Sequence, residues 1–208
     1  MVFFLLSTLL IFNTDKFSLH QHFNQWVGNF YCNLFFKWIT FLGDGLFIVI
    51  FSIAIMFFNF RLGTFIIISY CLSGLTTQFL KLNVFDDINR PFYFYSYYNF
   101  KIKIVEGVNM HIHNSFPSGH STAAWSLFFG LSLWVKNNPF KFVLILLGIF
   151  TSFSRVYLSQ HFFEDIITGA IIGSVFSFFI YYFLYHSKFS LKWKNGEQSL
   201  LKYFKKNG

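Results

Sequence analysis

The chain has 208 residues, of which 55% are hydrophobic, 25% are aromatic and only 12% are charged. A soluble globular domain carries about 25% charged residues, and a disordered chain is poor in aromatic side chains, so the composition excludes both classes. The net charge of +8 would suggest nucleic-acid binding in a soluble protein, but in so apolar a chain we attribute it to membrane sidedness and expect no nucleic-acid partner.

Uncharged apolar runs predict helices that cross a membrane, in a protein that is all-α. A spanning helix needs about 20 residues, with a range of roughly 17 to 25. The first run is short for a span, and a signal peptide is its alternative, which we disfavour because the run lacks a basic start and a small-residue cleavage site. The sequence therefore predicts a polytopic bundle of six transmembrane helices, at residues 1–14, 41–60, 62–80, 119–135, 139–157 and 166–187.

Lys and Arg residues in short connections predict the orientation of the bundle, because such residues are retained on the cytoplasmic side. If both termini lie in the cytoplasm, Arg61, Lys136 and the basic tail over residues 188–208 lie on the cytoplasmic side. The opposite orientation would place that tail outside. We expect a single membrane-embedded domain over 1–208, with its core at 40–187, in the inner or plasma membrane of the cell.

The last predicted span carries a G-x-x-x-G pattern at Gly169 and Gly173. Small residues at this spacing let two helices approach closely. We expect the pattern to pack this helix inside the bundle rather than to form a dimer. Nothing in the sequence sets the oligomeric state.

Charged side chains at membrane depth are functional candidates, because each costs about 2.5–3.5 kcal/mol on insertion scales. Three clusters of such residues fall on the predicted outer side. The first is Lys81 with Arg90 and Pro91, just after the third span. Its two cations can converge on one anion, although a lysine that snorkels from a helix end is the simpler explanation.

The second cluster is Pro117-Ser118-Gly119-His120, which opens the next apolar run. Proline suits a first helical turn, and glycine lets a ligand approach the backbone. Free N–H groups at a helix N-terminus attract phosphate, and His120 projects from that turn, where it can carry a proton. A capping turn with an incidental histidine is the alternative.

The third cluster is Ser154-Arg155, followed by His161 and Asp165. The i, i+4 spacing predicts that His161 and Asp165 stack on one helical face at the start of the last helix. A carboxylate on one ring nitrogen fixes the tautomer and leaves the other nitrogen as a nucleophile, while the guanidinium of Arg155 suits phosphate oxygens. A structural Arg–Asp pair is the alternative.

Together the clusters supply three cations, backbone donors, a hydroxyl, two imidazoles and one carboxylate. This inventory is typical of phosphoryl transfer through a covalent histidine, which needs positioning, charge neutralisation, a nucleophile and an acid.

The three clusters resemble the signatures of the type-2 phosphatidic acid phosphatase superfamily of integral-membrane lipid phosphatases. Those signatures read Lys-x6-Arg-Pro, Pro-Ser-Gly-His and Ser-Arg-x5-His-x3-Asp. The second is matched at residues 117–120 and the third at 154–165, whereas the first occurs as Lys81-x8-Arg90-Pro91, which is two residues longer. The motifs keep the family order, and the resemblance spans residues 40–187.

The resemblance implies that His161 attacks phosphorus and becomes a phosphohistidine, that Asp165 holds its ring, and that His120 protonates the leaving oxygen and then activates water. It also implies a site without metal or cofactor, since cations already occupy the role of Mg²⁺. The residues that it assigns to the phosphoryl oxygens are Lys81, Arg90, Ser118, Gly119 and Arg155.

The other histidines carry weaker signals. His111 and His113 have an H-x-H spacing, but a metal site normally needs three or four ligands, so we expect them to line the substrate entrance. We expect His20, His22 and His186 to be interfacial or solvated.

The expected activity is hydrolysis of a lipid phosphomonoester or diphosphate on the outer face of the membrane, with the bilayer and a lipid phosphate as partners. Undecaprenyl diphosphate, phosphatidate, phosphatidylglycerol phosphate and a lipid A phosphate all fit, because the motifs recognise the phosphate and not the tail. Two alternatives stay open: a lipid phosphotransferase that uses the same histidine, and a non-catalytic lipid-binding or transport protein.

Overall fold

The structure is a computed structural model that describes residues 2–188 and 190. All regular secondary structure in this part of the chain is helical, as predicted for an all-α protein. It consists of nine α-helices and one short 3-10 helix at Thr40–Gly43: α1 (Val2–Asn13), α2 (Lys16–Asn24), α3 (Phe30–Ile39), α4 (Gly45–Phe58), α5 (Phe60–Asn83), α6 (Pro91–Tyr97), α7 (Gly119–Trp134), α8 (Asn138–Tyr157) and α9 (Phe163–His186).

Three described helices, α5, α8 and α9, are long and apolar enough to cross a membrane. A fourth span exists if α3 with the 3-10 helix and α4 are counted together, although this pair is bent by 59°. Alone, α1 has 12 residues, α4 has 14 and α7 has 16, each below the roughly 17 residues that a span requires. Six transmembrane helices therefore stay a prediction, which the structure supports for three segments.

Two short helices that the apolar runs did not predict, α2 and α3, begin at good N-caps. The carboxylate of Asp15 accepts hydrogen bonds of 3.0 Å from the backbone N–H groups of Phe17 and Ser18. The side-chain oxygen of Asn29 accepts one of 3.1 Å from Cys32 N. Such caps satisfy donors that have no acceptor within the helix, so the two helices form despite their length.

Helix α7 occupies the centre of the bundle and packs against α5, α8 and α9. Its contact with α9 depends on the predicted small residues. A Cβ atom at Gly169 would collide with the carbonyl oxygen of Ser118, and one at Gly173 with that of Thr122. The prediction that the G-x-x-x-G pattern packs inside the bundle is confirmed.

Large apolar side chains are distributed as expected for a bundle that lipid surrounds. A buried core of Ile48, Phe65, Ile66 and Leu127 lies between the helices, whereas the outward faces of α4, α8 and α9 expose bulky apolar residues. The basic tail predicted at 188–208 lies outside the described residues, apart from Lys188 and Ser190.

Candidate active site

His161 and Asp165 form a buried pair where α9 begins. The Nδ1 atom of His161 lies 3.2 Å from Oδ2 of Asp165, and the two side chains are 2% and 0% exposed. The predicted stacking of both residues on one helical face is wrong, because α9 begins at Phe163 and His161 precedes it. The contact forms because Asp165 folds back to accept a 2.9 Å hydrogen bond from the backbone N–H of Phe162.

Ser115 is a third member of this group, in addition to the residues that the motifs predict. Its hydroxyl donates a 2.5 Å hydrogen bond to Oδ2 of Asp165, and its oxygen lies 3.5 Å from Nδ1 of His161. A single serine two residues ahead of Pro117 carries no pattern that would have identified it. Asp165 Oδ2 thus accepts from a hydroxyl, a backbone amide and an imidazole, which fixes the carboxylate.

The surroundings of His161 favour the neutral imidazole. Burial lowers its pKa well below the usual range, and the positive charges of Arg90, Lys81 and Arg155 lower that pKa further. Because the carboxylate of Asp165 accepts a proton donor, Nδ1 carries the hydrogen and Nε2 carries the lone pair. Among the described residues, no group hydrogen-bonds Nε2, so this nitrogen is available as a nucleophile.

The three predicted cations come from three separate stretches of chain. Lys81 lies in the last turn of α5, Arg90 is the residue before α6, and Arg155 lies in the last turn of α8. Across residues 2–188 and 190, none of the three forms an ion pair with a carboxylate. Their charge is therefore available to an anion.

Neutral oxygens orient the two arginines. The Nε of Arg90 donates to the carbonyl of His113 at 2.9 Å, and its Nη1 approaches both oxygens of Gln160 at 3.3 and 3.4 Å. The Nη1 of Arg155 donates to Oγ1 of Thr40 at 2.9 Å. Neither Gln160 nor Thr40 belongs to a motif, and only the fold brings them to the guanidinium groups.

The Pro-Ser-Gly-His stretch forms the N-terminus of α7. Ser118 is the N-cap: its hydroxyl oxygen accepts from Ser121 N at 3.4 Å, and its own N–H donates to the backbone oxygen of Asp165 at 3.0 Å. Gly119 is the first helical residue, so its N–H has no acceptor within the helix. His120 is the second residue of α7, in the turn whose N-cap, Ser118, bonds to the backbone of Asp165.

Two cavities meet near these groups. One, of about 420 Å³, is mostly apolar and lies between α4, α5 and α7, where Gly119 and His120 line it together with Gln78. The other, of about 470 Å³, is lined by polar groups that include Lys81, Arg90, His111, His113 and Gln78. Gln78 therefore lies where a polar compartment adjoins an apolar one.

The polar cavity is lined by the two cations of the first motif and by two loop histidines. Lys81 and Arg90 line it together despite the two additional residues between them, which the connection after α5 accommodates. His111 and His113 line the same cavity, and their predicted place at a substrate entrance stays a prediction. Burial lowers the pKa of His111, and the charges of Arg90 and Arg155 lower it further. In the described part of the chain, His, Cys, Asp and Glu form no group of three or more that would suit a metal ion.

One expectation about the remaining histidines is wrong. His20 is 1% exposed, because α2 folds onto α6 and its Nδ1 lies 3.0 Å from the hydroxyl of Tyr95. Its position within α2 gave no sign of this burial. His22 and His186 are exposed.

A family model matches this sequence, and two solved structures share its fold. The model of the PAP2 superfamily matches residues 62–189, more than half of the chain, and the chain belongs to this superfamily. The crystal structure of Aquifex aeolicus LpxE superposes with a TM-score of 0.68 at 22% identity, covering 78% of this chain and 92% of that one. The PAP2-type phosphatidylglycerolphosphate phosphatase from Bacillus subtilis gives a TM-score of 0.65 at 21% identity, covering 90% and 96%. The chain is thus an integral membrane protein with the PAP2 fold.

Two curated relatives are similar over shorter stretches. Undecaprenyl-diphosphatase BcrC of Bacillus subtilis is 28% identical over 69 residues, which is 33% of this chain and 35% of that protein. Lipid A 1-phosphatase of Rhizobium johnstonii is 28% identical over 116 residues, which is 56% of this chain and 45% of that protein. The matches thus span less than half the length of either relative.

Proposed function

We propose that this protein is a membrane lipid phosphatase that hydrolyses a phosphomonoester or a diphosphate through a covalent phosphohistidine at His161. The observation that carries the proposal is the buried His161–Asp165 pair with three cations acting on its imidazole. A neutral imidazole held by a carboxylate and surrounded by positive charge is suited to attack a phosphoryl group, because the cations offset the charge of the phosphoryl oxygens.

The first chemical step transfers the phosphoryl group to the enzyme. Nε2 of His161 attacks phosphorus, an N–P bond forms, and the bond between phosphorus and the lipid oxygen breaks. Asp165 stabilises the positive charge that develops on the ring, and protonated His120 gives its proton to the leaving oxygen. The dianionic phosphate itself favours the protonated form of His120, because it offsets the cations around that ring.

The second step returns the enzyme to its starting state. A water molecule gives a proton to His120 and attacks phosphorus, the N–P bond breaks, and inorganic phosphate leaves. Lys81, Arg90 and Arg155 bind the phosphoryl oxygens in both steps, together with the free N–H of Gly119. Ser118 acts by capping α7, and thereby holds that N–H in place.

A lipid leaving group is supported by the cavity beside His120. The residue that protonates the leaving oxygen lines a largely apolar cavity, whereas the cations line the polar one. A substrate with its phosphate at the cations would therefore place its tail among apolar side chains. This arrangement fits a membrane lipid and disfavours a soluble phosphate ester.

The names of the relatives support three of the four substrate candidates, undecaprenyl diphosphate, a lipid A phosphate and phosphatidylglycerol phosphate, and phosphatidate is the fourth. All four present a terminal phosphoryl group on an apolar tail. The site recognises that shared part, and the apolar cavity selects among the tails by shape.

Phosphate release by the purified full-length chain in detergent tests the proposal across these four lipids. We expect release from at least one lipid, full activity in EDTA, an acid-labile phosphoenzyme, and loss of both turnover and phosphoenzyme in His161→Ala. Label that appears on a second lipid, and not as free phosphate, would instead identify a phosphotransferase. Unchanged activity in His161→Ala would exclude the covalent mechanism.

We further propose that both termini lie in the cytoplasm and that the site faces the outer side of the cell membrane. The distribution of Lys and Arg supports this orientation, since the opposite one would place the basic tail outside.

A further inference from the structure

Two side chains of α2 reach the turn that carries the nucleophile. The Nζ atom of Lys16 lies 3.5 Å from Oε1 of Glu164 and 5.2 Å from the ring centroid of Phe162. The ring of His20 meets the edge of Phe162, with centroids 5.7 Å apart. Helix α2 lies outside the segment 62–189 that the family model matches, so the family motifs assign no role to either residue.

Phe162 connects these α2 side chains to the His161–Asp165 pair. It follows His161 directly, its ring is fully buried, and its N–H donates to Oδ2 of Asp165. A displacement of Phe162 would therefore move the nucleophile and lengthen the hydrogen bond that aims the carboxylate.

The same contacts join this turn to the segment that begins at Arg90. Phe162 packs against Phe94 of α6 at 6.0 Å, and His20 bonds to Tyr95 of that helix. Helix α6 starts directly after Arg90. Helix α2 thus contacts both the turn of the nucleophile and the helix that follows a phosphate-binding cation.

Charge interactions also connect α2 to the His161–Asp165 pair. The positive charge of Lys16 acts on Asp165 and offsets a small part of the cost of burying that carboxylate, and His20 also interacts with Asp165. Burial lowers the pKa of His20 to about 4, so its ring is neutral at physiological pH and adds no competing charge.

We propose that Lys16 and His20 are positioning residues, which hold Phe162 and through it the His161–Asp165 pair against the helix that starts after Arg90. The catalytic part of this inference rests on the proposed function. A purely structural role for α2 would lower stability without a specific effect on the chemical step.

The first experiment is a double-mutant cycle on the ion pair. Lys16→Met removes the charge and keeps an apolar stem over Phe162, and Glu164→Gln removes the partner. We expect each variant to lower kcat by about fivefold with KM changed by less than about twofold, because misplacement of a reacting group acts on the chemical step. The double variant should be no slower than either single variant, and Lys16→Arg should restore most of the rate.

A matched control distinguishes this effect from the effect of removing any lysine. Lys37 lies on helix α3 and donates to the backbone oxygen of Glu106, whereas the cation above the Phe162 ring is Lys16. Lys37→Met should leave kcat unchanged. Additive losses in the Lys16–Glu164 cycle, or an equal loss in Lys37→Met, would overturn the proposal.

The second experiment does not depend on activity. Hydrogen exchange of the peptide that contains Phe162 should become about tenfold faster in Lys16→Met and in His20→Phe, while exchange in α7 and α8 stays as in the wild type. Unchanged exchange at the turn, or faster exchange throughout the bundle, would contradict the proposal even if no lipid phosphate were hydrolysed. Failure of the wild type to release phosphate would instead count against the proposed function alone.

Discussion

Thr40 accepts a 2.9 Å hydrogen bond from Nη1 of Arg155, although the two residues are 115 positions apart. The bond links the turn before α4 to the end of α8. Arg155 is almost fully buried, and its Nε has no hydrogen-bond partner within the described residues, so Thr40 is one of few groups that orient this guanidinium.

Replacing Thr40 with valine should therefore impair phosphate binding. The methyl group keeps the shape and leaves a buried charged donor without its acceptor, which costs about 1.5–3 kcal/mol. We expect kcat/KM for phosphate release to fall by at least about tenfold. Thr40→Ser keeps the hydroxyl and should retain most of the activity; equal losses in both variants would show that the hydrogen bond is not the cause.

Asp165→Asn should abolish most turnover while the bundle stays folded. The amide occupies the same volume, but it carries no charge to stabilise the ring of His161 and can offer a donor where an acceptor is needed. We expect a loss of about 10³-fold or more in the rate of phosphoenzyme formation, measured by rapid quench. Ser115→Ala removes only one donor to the carboxylate and should cost about tenfold; a larger effect of Ser115→Ala would assign the hydroxyl a direct catalytic role.

The pH dependence of phosphoenzyme formation should reflect the environment of His161. Burial and three cations hold its pKa well below the usual 6.5, so the nucleophile stays unprotonated as the pH falls through 6.5 and is lost only in more acidic solution. Arg90→Gln removes one of these cations, raises the pKa of His161 and should move the acidic limb to higher pH. Wild type and variant are compared on one substrate, so that the titration of the substrate cancels; a limb at the same pH in both would contradict the assignment.

Gly173→Ala should destabilise the bundle. The new Cβ would meet the backbone oxygen of Thr122 and the backbone nitrogen of Ser126, neither of which can rotate away. Forcing the helices apart should cost about 1–3 kcal/mol and lower the unfolding temperature in detergent. Gly74→Ala is the matched control, because a Cβ at Gly74 meets no atom within 4 Å; it should be neutral or slightly stabilising, since alanine favours helices.

Cys32 offers a test of the proposed orientation. Both cysteines are free and exposed, but Cys71 lies inside the spanning helix α5, whereas Cys32 lies on α3 before the first long span. A membrane-impermeant maleimide should label the wild type on intact cells and should not label Cys32→Ser. Labelling that requires lysis of the cells would place α3 on the cytoplasmic side.

The sequence predicted the helical class and the three motif clusters because each has a local cause. Long uncharged runs identify α5, α8 and α9, and charged residues beside such runs are rare enough to stand out. The residues that it missed, Ser115 and Gln160 among them, are single polar side chains that only tertiary packing brings to the site.

Two errors in the predictions have the same physical origin. Periodicity and composition describe a residue by its neighbours in sequence, so they predict His161 on a helical face and His20 at the interface or in solvent. The fold-back of Asp165 onto Phe162 and the packing of α2 onto α6 determine the actual positions, and both depend on contacts between distant segments.

The backbone hydrogen bond from Ser118 N–H to the carbonyl of Asp165 joins main chain to main chain, so it does not depend on which side chains surround it. His120 and His161, the proposed acid and nucleophile, therefore lie on two segments that this bond joins, where α7 and α9 begin. The apolar cavity proposed for the lipid tail is lined largely by residues at the start of α4 and along α5. Substitutions on α4 and α5 can therefore change which lipid tail fits the cavity, while the residues proposed for phosphoryl transfer stay the same.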